Sequence, residues 1–224
     1  MWRAVWQEMP WVLTTWASCL ALAKAIPSLN HPWGSNWPMY FESARYFWDP
    51  TAVYFGWRPP LYPLGLATLG NQIGYVDAGH FIAQVSMFTL IACTGIMVRL
   101  LAGRGPAVLA VLSIPLLQCA VEGAMWTNMY PPAAAAVALA AAAGTMVWRR
   151  PNWGLALLAG FAAGLAWKIN HLGLVAVPLG LGLTILGSSR IPTIGRLIVL
   201  PLLFGLGTAT VAGIDTWVIQ HWNV

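Results

Sequence analysis

The stretch from Ala78 to Leu101 constrains the fold more than any other part of the chain. It is 24 residues long, and Arg99 is the one residue in it that is charged at pH 7 when histidine is counted as neutral. A helix needs about 20 apolar residues to cross the ~30 Å hydrocarbon core of a bilayer. Over the 224 residues, 59% are hydrophobic and 8% are charged, whereas soluble domains carry about 25% charged residues. The composition therefore predicts an all-α integral membrane protein and excludes a water-soluble globule.

The polar residues indicate neither a nucleic-acid partner nor a metal. The net charge of +5 comes from scattered basic residues rather than from a basic patch. Cys19, Cys93 and Cys119 lie in apolar runs without a CxxC pair, so we interpret them as small buried side chains. The histidines lack metal-ligand spacing. A haem or pigment ligand at His80 or His171 is the weaker alternative, and we predict no cofactor.

Seven segments are predicted to cross the membrane in a single transmembrane domain, 1–224. The N-terminal segment lacks a small-x-small cleavage motif, so it is predicted as an uncleaved helix rather than a signal peptide. Residues 153–187 would extend about 50 Å as one helix, so two short helices are predicted to meet at the polar sequence WKINH (Trp167–His171). The predicted spans are 11–27, 78–101, 106–121 with a kink at Pro115, 131–148, 153–167, 172–187 and 194–217.

The arginines predict the orientation. A cytoplasmic N-terminus places seven arginines on the cytoplasmic side, as the positive-inside rule requires: Arg3, Arg99, Arg104, Arg149, Arg150, Arg190 and Arg196. The outer side then receives Lys168, the four histidines, five acidic residues (Glu42, Asp49, Asp77, Glu122 and Asp215) and the C-terminus. This arrangement requires that Pro59–Val76, which opens with two prolines, lies at the outer interface as a short helix. The lysine-poor, Ala/Gly/Trp-rich composition suits a bacterial inner membrane.

A long outer loop, residues 28–77, is the most unusual part of this topology. Eleven aromatic residues lie within the thirty positions 33–62. Amphipathic rings favour the headgroup layer of a bilayer, so anchoring is the simpler interpretation of these side chains. Loops of this length that lack a function are uncommon, however. The loop also holds four charged residues, Glu42, Arg45, Asp49 and Arg58, in a chain that has few.

Three sequence stretches resemble the C-type (GT-C) glycosyltransferase superfamily, which includes protein mannosyltransferases and aminoarabinose transferases. NWPMYFESARYF (36–47) followed by RPPLYPLGLATLG (58–70) is similar to the first outer loop of that family, where D-E-x-x-Y-x-x-x-A and P-P-L segments form juxtamembrane helices. LALLAGFAAGLAWKINHLGLVAVPLGLGL (155–183) is similar to its paired short helices. The resemblance covers residues 30–217 and implies a seven-helix module that transfers a sugar from a polyprenyl-phosphate carrier at the outer face.

The resemblance also implies where the reacting groups would lie. Asn36 takes the position of the family's catalytic aspartate, and an amide cannot act as a general base. Glu42 and Asp49 are the acids that could replace it. Arg58, Lys168 and His171 match positions that would hold the carrier phosphate. Members of the family are also expected to carry further helices and an outer soluble domain beyond the equivalent of Val224.

Each of these residues has a simpler interpretation. Arg58 could form an exposed ion pair with Asp49 or Glu42, which would contribute little. Lys168 and His171 could be plain interfacial anchors, although ionisable groups near a membrane are functional candidates by default. Glu122 and Asn128, in the second outer loop, could line the cavity that would hold the carrier phosphate, or could lie in a solvated loop.

Three functions were compared. The first is a non-catalytic GT-C-like module that acts as an accessory or scaffold subunit, with the lipid bilayer, other membrane subunits and a polyprenyl phosphate as partners. The second is a minimal active glycosyltransferase that uses Glu42 or Asp49. A transporter is the least supported, because no inverted repeat is visible. The loss of the aspartate at Asn36 favours the first.

Overall fold

The described part of the chain is mostly helical and contains no β-strand. The computed structural model describes residues 2–25, 37–49, 51–56, 59–188 and 194–222. Its helices are α1 (Trp2–Ala25), α2 (Trp37–Arg45), α3 (Leu61–Ile73), α4 (Tyr75–Ala102), α5 (Arg104–Ser113), α6 (Gln118–Met125), α7 (Tyr130–Arg149), α8 (Trp153–Ile169), α9 (Ala176–Ser188) and α10 (Ile194–Trp222). Two 3₁₀ turns, Ile114–Leu116 and His171–Val175, precede α6 and α9.

The helices begin and end at residues with clear local reasons. Gly74 and Gly103 flank α4 with φ of 90° and 99°, a left-handed region that other residues rarely adopt. The Asn152 side chain accepts a 3.1 Å hydrogen bond from the backbone N–H of Leu155 and so caps α8. At the end of α8 the backbone N–H of Asn170 donates a hydrogen bond to the carbonyl oxygen of Ala166. The Asn170 side-chain oxygen accepts a hydrogen bond from the backbone N–H of Leu172 in the next turn.

Several of these helices are long and apolar enough to indicate a multi-pass membrane protein. Four meet both criteria among the described residues: Tyr75–Ala102, Tyr130–Arg149, His171–Ser188 and Ile198–Trp222. The helices Arg104–Leu116 and Gln118–Met125 are bent by 64° relative to each other, and the number of spans is five if this pair crosses as one. The bend follows Pro115, as the sequence predicted.

The prediction of seven spans is therefore wrong by these criteria, although every predicted segment overlaps at least one helix of the described residues. Residues 153–167 lie in α8, which has 17 residues and is shorter than a typical span. Residues 11–27 overlap α1, a helix that also carries the charged residues Arg3, Glu8 and Lys24. Length separates α8 from the others, and α1 does not meet the joint criteria of length and hydropathy.

Small residues build the centre of the bundle. The alanines of α7 pack against α8, α9 and α10 in one buried cluster that includes Ala140, Ala163 and Phe204. A Cβ on Gly160 of α8 would overlap the backbone carbonyl of Phe204 in α10, so the two backbones touch. The Thr208 hydroxyl donates a 3.0 Å hydrogen bond to the carbonyl oxygen of Gly160 across the same contact. Close approach through glycine and alanine is typical of helix pairs in lipid.

The segment predicted as an outer loop folds over one end of this bundle. α2 and α3 lie within it, and α3, with 13 residues, is too short to cross a bilayer. Tyr40 and Phe47 from the loop form a buried cluster with Met129 and with Val218 near the end of α10. The residue that precedes α7 and the last part of α10 therefore both lie beneath the loop.

Candidate functional site

Glu42 and Asp49, the two predicted substitute bases, are held by one arginine on an exposed surface. Arg45 lies 3.3 Å from Glu42 and 3.4 Å from Asp49, and the side chains of all three are more than 40% exposed. The spacing of i, i+3 and i, i+4 brings such charges together on a helix face. The pair of carboxylates therefore faces a cation and solvent rather than a closed cavity.

Asp49 also closes a local turn. Its Oδ1 accepts hydrogen bonds from the Thr51 hydroxyl at 2.6 Å and from the Thr51 backbone N–H at 3.0 Å. These bonds, helped by the charge of Arg45, lower the pKa of Asp49 below its ordinary value. A carboxylate that is stabilised as the anion is a weaker proton acceptor.

The opposite face of α2 attaches the loop to the bundle. Tyr40, Ser43, Ala44 and Phe47 recur at helical spacing and are buried. Tyr40 meets Tyr62 of α3 edge to face, with ring centroids 5.1 Å apart. This stripe explains why Glu42 and Arg45, which lie between its members, point outward.

Two further contacts fix the loop to the last helix. The Phe47 ring lies 5.4 Å from that of Trp222, and the Tyr46 hydroxyl donates a 3.2 Å hydrogen bond to the Trp222 carbonyl. Trp222 is the last residue of α10. In the described ranges the loop thus forms a folded cap, in which aromatic side chains such as Tyr40 and Phe47 contact the rest of the protein.

Lys168, a predicted phosphate ligand, forms an ion pair with an acid. Its ammonium lies 2.8 Å from Oδ2 of Asp215 in α10, and it also sits 4.5 Å from the ring centroid of Trp167. The Asp215 side chain is 4% exposed and that of Lys168 is 22% exposed. His171, the other predicted ligand on this turn, is exposed.

Asp215 is the most unusual polar group at this end of the molecule. Its second oxygen, Oδ1, is buried and has no hydrogen-bond partner among the described residues. Tyr54 from the loop lies close enough that the charge of Asp215 adds to burial in raising the pKa of the Tyr54 phenol. A buried carboxylate oxygen without a donor is rare, because it forfeits hydration.

The remaining predicted residues are placed as follows. Asn36 and Arg58 lie outside the described residues. Glu122 is on α6, where it accepts a 2.6 Å hydrogen bond from the Gln118 amide. Asn128 is buried, and its side chain accepts a 2.9 Å hydrogen bond from the Tyr130 backbone N–H at the start of α7. Within the described ranges, no three His, Cys, Asp or Glu side chains come together to hold a metal ion.

A second charged cluster, which was not predicted from the sequence, lies at the other end of the bundle. Glu8 of α1 accepts hydrogen bonds from Arg99 at 2.6 and 2.9 Å and from Arg104 at 3.0 and 3.3 Å. The Trp11 indole donates a further bond of 2.6 Å to the same carboxylate. One feature of the sequence could have indicated this cluster: Glu8 is the one acidic residue on the side of the membrane to which the positive-inside rule assigns the arginines.

Comparison of the chain with protein-family models, with curated proteins and with solved structures finds no match.

Proposed function

We propose that this protein is a non-catalytic GT-C-like membrane module, which acts as an accessory or scaffold subunit through helix and lipid contacts. The observation that supports this function is the state of Glu42 and Asp49. Both carboxylates are exposed and share the Arg45 guanidinium. A general base needs a free carboxylate within reach of the proton it removes, and neither residue offers one.

The same proposal includes an orientation. The arginine cluster around Glu8 lies at the cytoplasmic end of the bundle in a bacterial inner membrane, and the folded cap lies at the outer end. The N-terminus is then cytoplasmic and the C-terminus is outside. The segregation of charges supports this, because Arg99, Arg149 and Arg150 gather at one end and Asp215 lies at the other.

A turnover assay tests the absence of catalysis. The purified chain in nanodiscs is incubated with polyprenyl-phosphate sugars, and loss of the sugar is followed with and without acceptor lipids. We expect no turnover above an empty-nanodisc control. Turnover by the unmodified chain that disappears in Glu42→Gln or Asp49→Asn would overturn the proposal.

The scaffold role has a separate test. We expect a tagged chain, purified from its native membrane in mild detergent, to elute with other membrane subunits at a fixed stoichiometry. The matched control is an Arg45→Glu variant, which reverses a charge on the exposed face of α2. Elution as a bare monomer under several detergents would contradict a scaffold role.

The second candidate, a minimal active glycosyltransferase, is favoured by one observation. The buried, unpartnered Oδ1 of Asp215 lies beside a lysine that could hold a phosphate. In this case the acid would be Asp215 rather than Glu42 or Asp49. Turnover that is lost in Asp215→Asn but retained in Glu42→Gln would establish this second function.

A further inference from the structure

A cavity at the arginine-rich end of the bundle is unrelated to the capped end discussed above. It has a volume of about 740 Å³, and its wall comes from α1, α4, α7 and α8. The charged groups in the wall are Glu8, Arg99, Arg149 and Arg150. Arg104 reaches the same Glu8 carboxylate. Two arginines therefore contact the carboxylate and two more lie in the cavity wall, so the cluster carries three more positive than negative charges.

Two of the arginines are available for an anion. Glu8 is already occupied by Arg99 and Arg104. Arg149 and Arg150, both exposed, form no ion pair with a carboxylate in the described ranges. The Arg149 guanidinium lies 5.2 Å from the ring of its neighbour Trp148. Arginine binds phosphate oxygens with paired N–H donors, so this end of the cavity suits a phosphate group.

The rest of the cavity wall is apolar. Ile96 and Met146 lie three residues deeper in their helices than Arg99 and Arg149, which is about 4.5 Å along the axis. Leu100 and Leu155 complete this apolar part. A ligand complementary to the cavity therefore presents an anionic group, for example a phosphate, to the arginines and a hydrocarbon chain to the helices. Free phosphate would leave the apolar part empty.

We infer that this cavity binds a phospholipid with an anionic phosphodiester headgroup, held by Arg149 and Arg150 at the charged end and by Ile96, Leu100, Met146 and Leu155 along its acyl chain. Basic cavities between membrane helices are a known means of holding anionic lipids. The Glu8–Arg99 pair fixes the wall between α1 and α4 and leaves the two remaining arginines to bind the headgroup.

The first experiment measures lipid retention. The full chain is transferred from nanodiscs of phosphatidylglycerol or of phosphatidylcholine into detergent, and bound lipid is counted by native mass spectrometry. We expect retention of phosphatidylglycerol but little of phosphatidylcholine, and a loss of about tenfold for each arginine in Arg149→Gln and Arg150→Gln. Arg45→Gln removes one arginine at the other end of the molecule and should not change retention.

Two results would overturn the inference. Equal retention of both lipids, or unchanged retention in Arg149→Gln/Arg150→Gln, would show that the arginines do not select the headgroup. Displacement of phosphatidylglycerol by millimolar inorganic phosphate, with phosphate binding to the lipid-free chain, would identify a free-phosphate site instead of a lipid site. We expect inorganic phosphate to leave the lipid bound, because it cannot replace the acyl-chain contacts.

A second measurement needs no substitution and so does not depend on the folding of a variant. Phosphatidylglycerol with a photoactivated diazirine in its acyl chain is cross-linked to the unmodified protein, and the labelled peptides are identified. We expect labelling at Leu100 and Leu155 to exceed that with the matched phosphatidylcholine probe several-fold. Equal labelling by the two probes would overturn the inference.

Discussion

Among single residues, Lys168 and Asp215 form the charged pair with the strongest expected effect on stability. Removal of the lysine would leave a carboxylate that is 4% exposed without its cation. Breaking a buried pair from one side costs about 3 kcal/mol or more. We expect Lys168→Met to lower the stability of the protein in detergent clearly, and Lys24→Met, at an exposed position of α1, to change it little. Thermal unfolding followed by circular dichroism measures both.

A double-mutant cycle separates the energetic contribution of the Lys168–Asp215 pair from other effects of the two substitutions. Asp215→Asn alone should cost less than Lys168→Met, because the lysine is more exposed than the aspartate and retains some hydration. Asp215→Asn in the Lys168→Met background should recover part of the loss, since the unpaired buried charge is then gone. Additive losses would show that the 2.8 Å contact contributes nothing to stability.

Glu8 predicts a dependence of stability on pH. The hydrogen bonds from Arg99, with those from Trp11 and Arg104, lower the pKa of Glu8 from 4.5 to about 2. Because its pKa is lower in the folded than in the unfolded chain, the ionised Glu8 stabilises the fold at pH values above 4.5. This stabilisation is lost as the pH falls from 4.5 to 2. Because the Glu8 side chain is 36% exposed, solvent screening limits the effect to about 1 kcal/mol.

The corresponding measurement compares unfolding midpoints across pH. We expect Glu8→Gln to unfold at a lower temperature than the unmodified chain at pH 7, and the two midpoints to converge towards pH 2. The control is Glu122→Gln, where the partner of the carboxyl is the neutral amide of Gln118. A constant difference between Glu8→Gln and the unmodified chain at all pH values would show that the arginine pairing is not responsible.

Sequence patterns predicted some of the site chemistry but not the pairing of its residues. The local spacing of Glu42, Arg45 and Asp49 would have sufficed to predict the two ion pairs of Arg45, but the pair considered was that of Arg58, which lies outside the described residues, with Asp49 or Glu42. The pair of Lys168 and Asp215 was not predicted, because its residues lie on different helices. Their contact depends on how α8 packs against α10, and no local pattern specifies that register.

At the scale of helices, the contact between α8 and α10 depends on glycine. A Cβ on Gly160 would overlap the Phe204 carbonyl, whereas a Cβ on Gly205 would meet nothing within 4 Å. We expect Gly160→Ala to destabilise the protein by about 1–3 kcal/mol, the usual cost of overpacking. Gly205→Ala should be neutral or slightly stabilising, because alanine favours helix more than glycine. Thermal unfolding of the two variants side by side makes the comparison.

The positions of the helices were more predictable than the number of spans. Apolar runs and breakers placed α4 and α7 and the break before His171 correctly, because glycine, proline and asparagine act locally. The count of seven was wrong because it included α8, whose 17 residues are fewer than a typical span has, and α1, which does not meet the joint criteria of length and hydropathy. α8 buries its small residues, such as Ala159 and Ala163, against neighbouring helices and exposes Leu157 and Phe161 on its other face.

At the scale of the whole molecule, the separation of charge between two ends predicts the orientation in the membrane. Arg99 and Arg149 line one cavity, and Asp215 lies beneath the cap at the other end. α4, with 28 residues, is about 42 Å long, so its two ends can lie on opposite sides of a bilayer. A single reagent that cannot cross the membrane therefore distinguishes them.

Gly56 and Gly105 make a matched pair of reporters for this orientation. Both are exposed and a side chain on either would meet nothing within 4 Å, so a cysteine fits at each position. In a chain whose three native cysteines are replaced by alanine, we expect an impermeant maleimide added to intact spheroplasts to label Gly56→Cys and not Gly105→Cys. After permeabilisation both should react. The reverse pattern would invert the orientation, and labelling of both sites in intact spheroplasts would mean that the two charged ends lie on one side of the membrane.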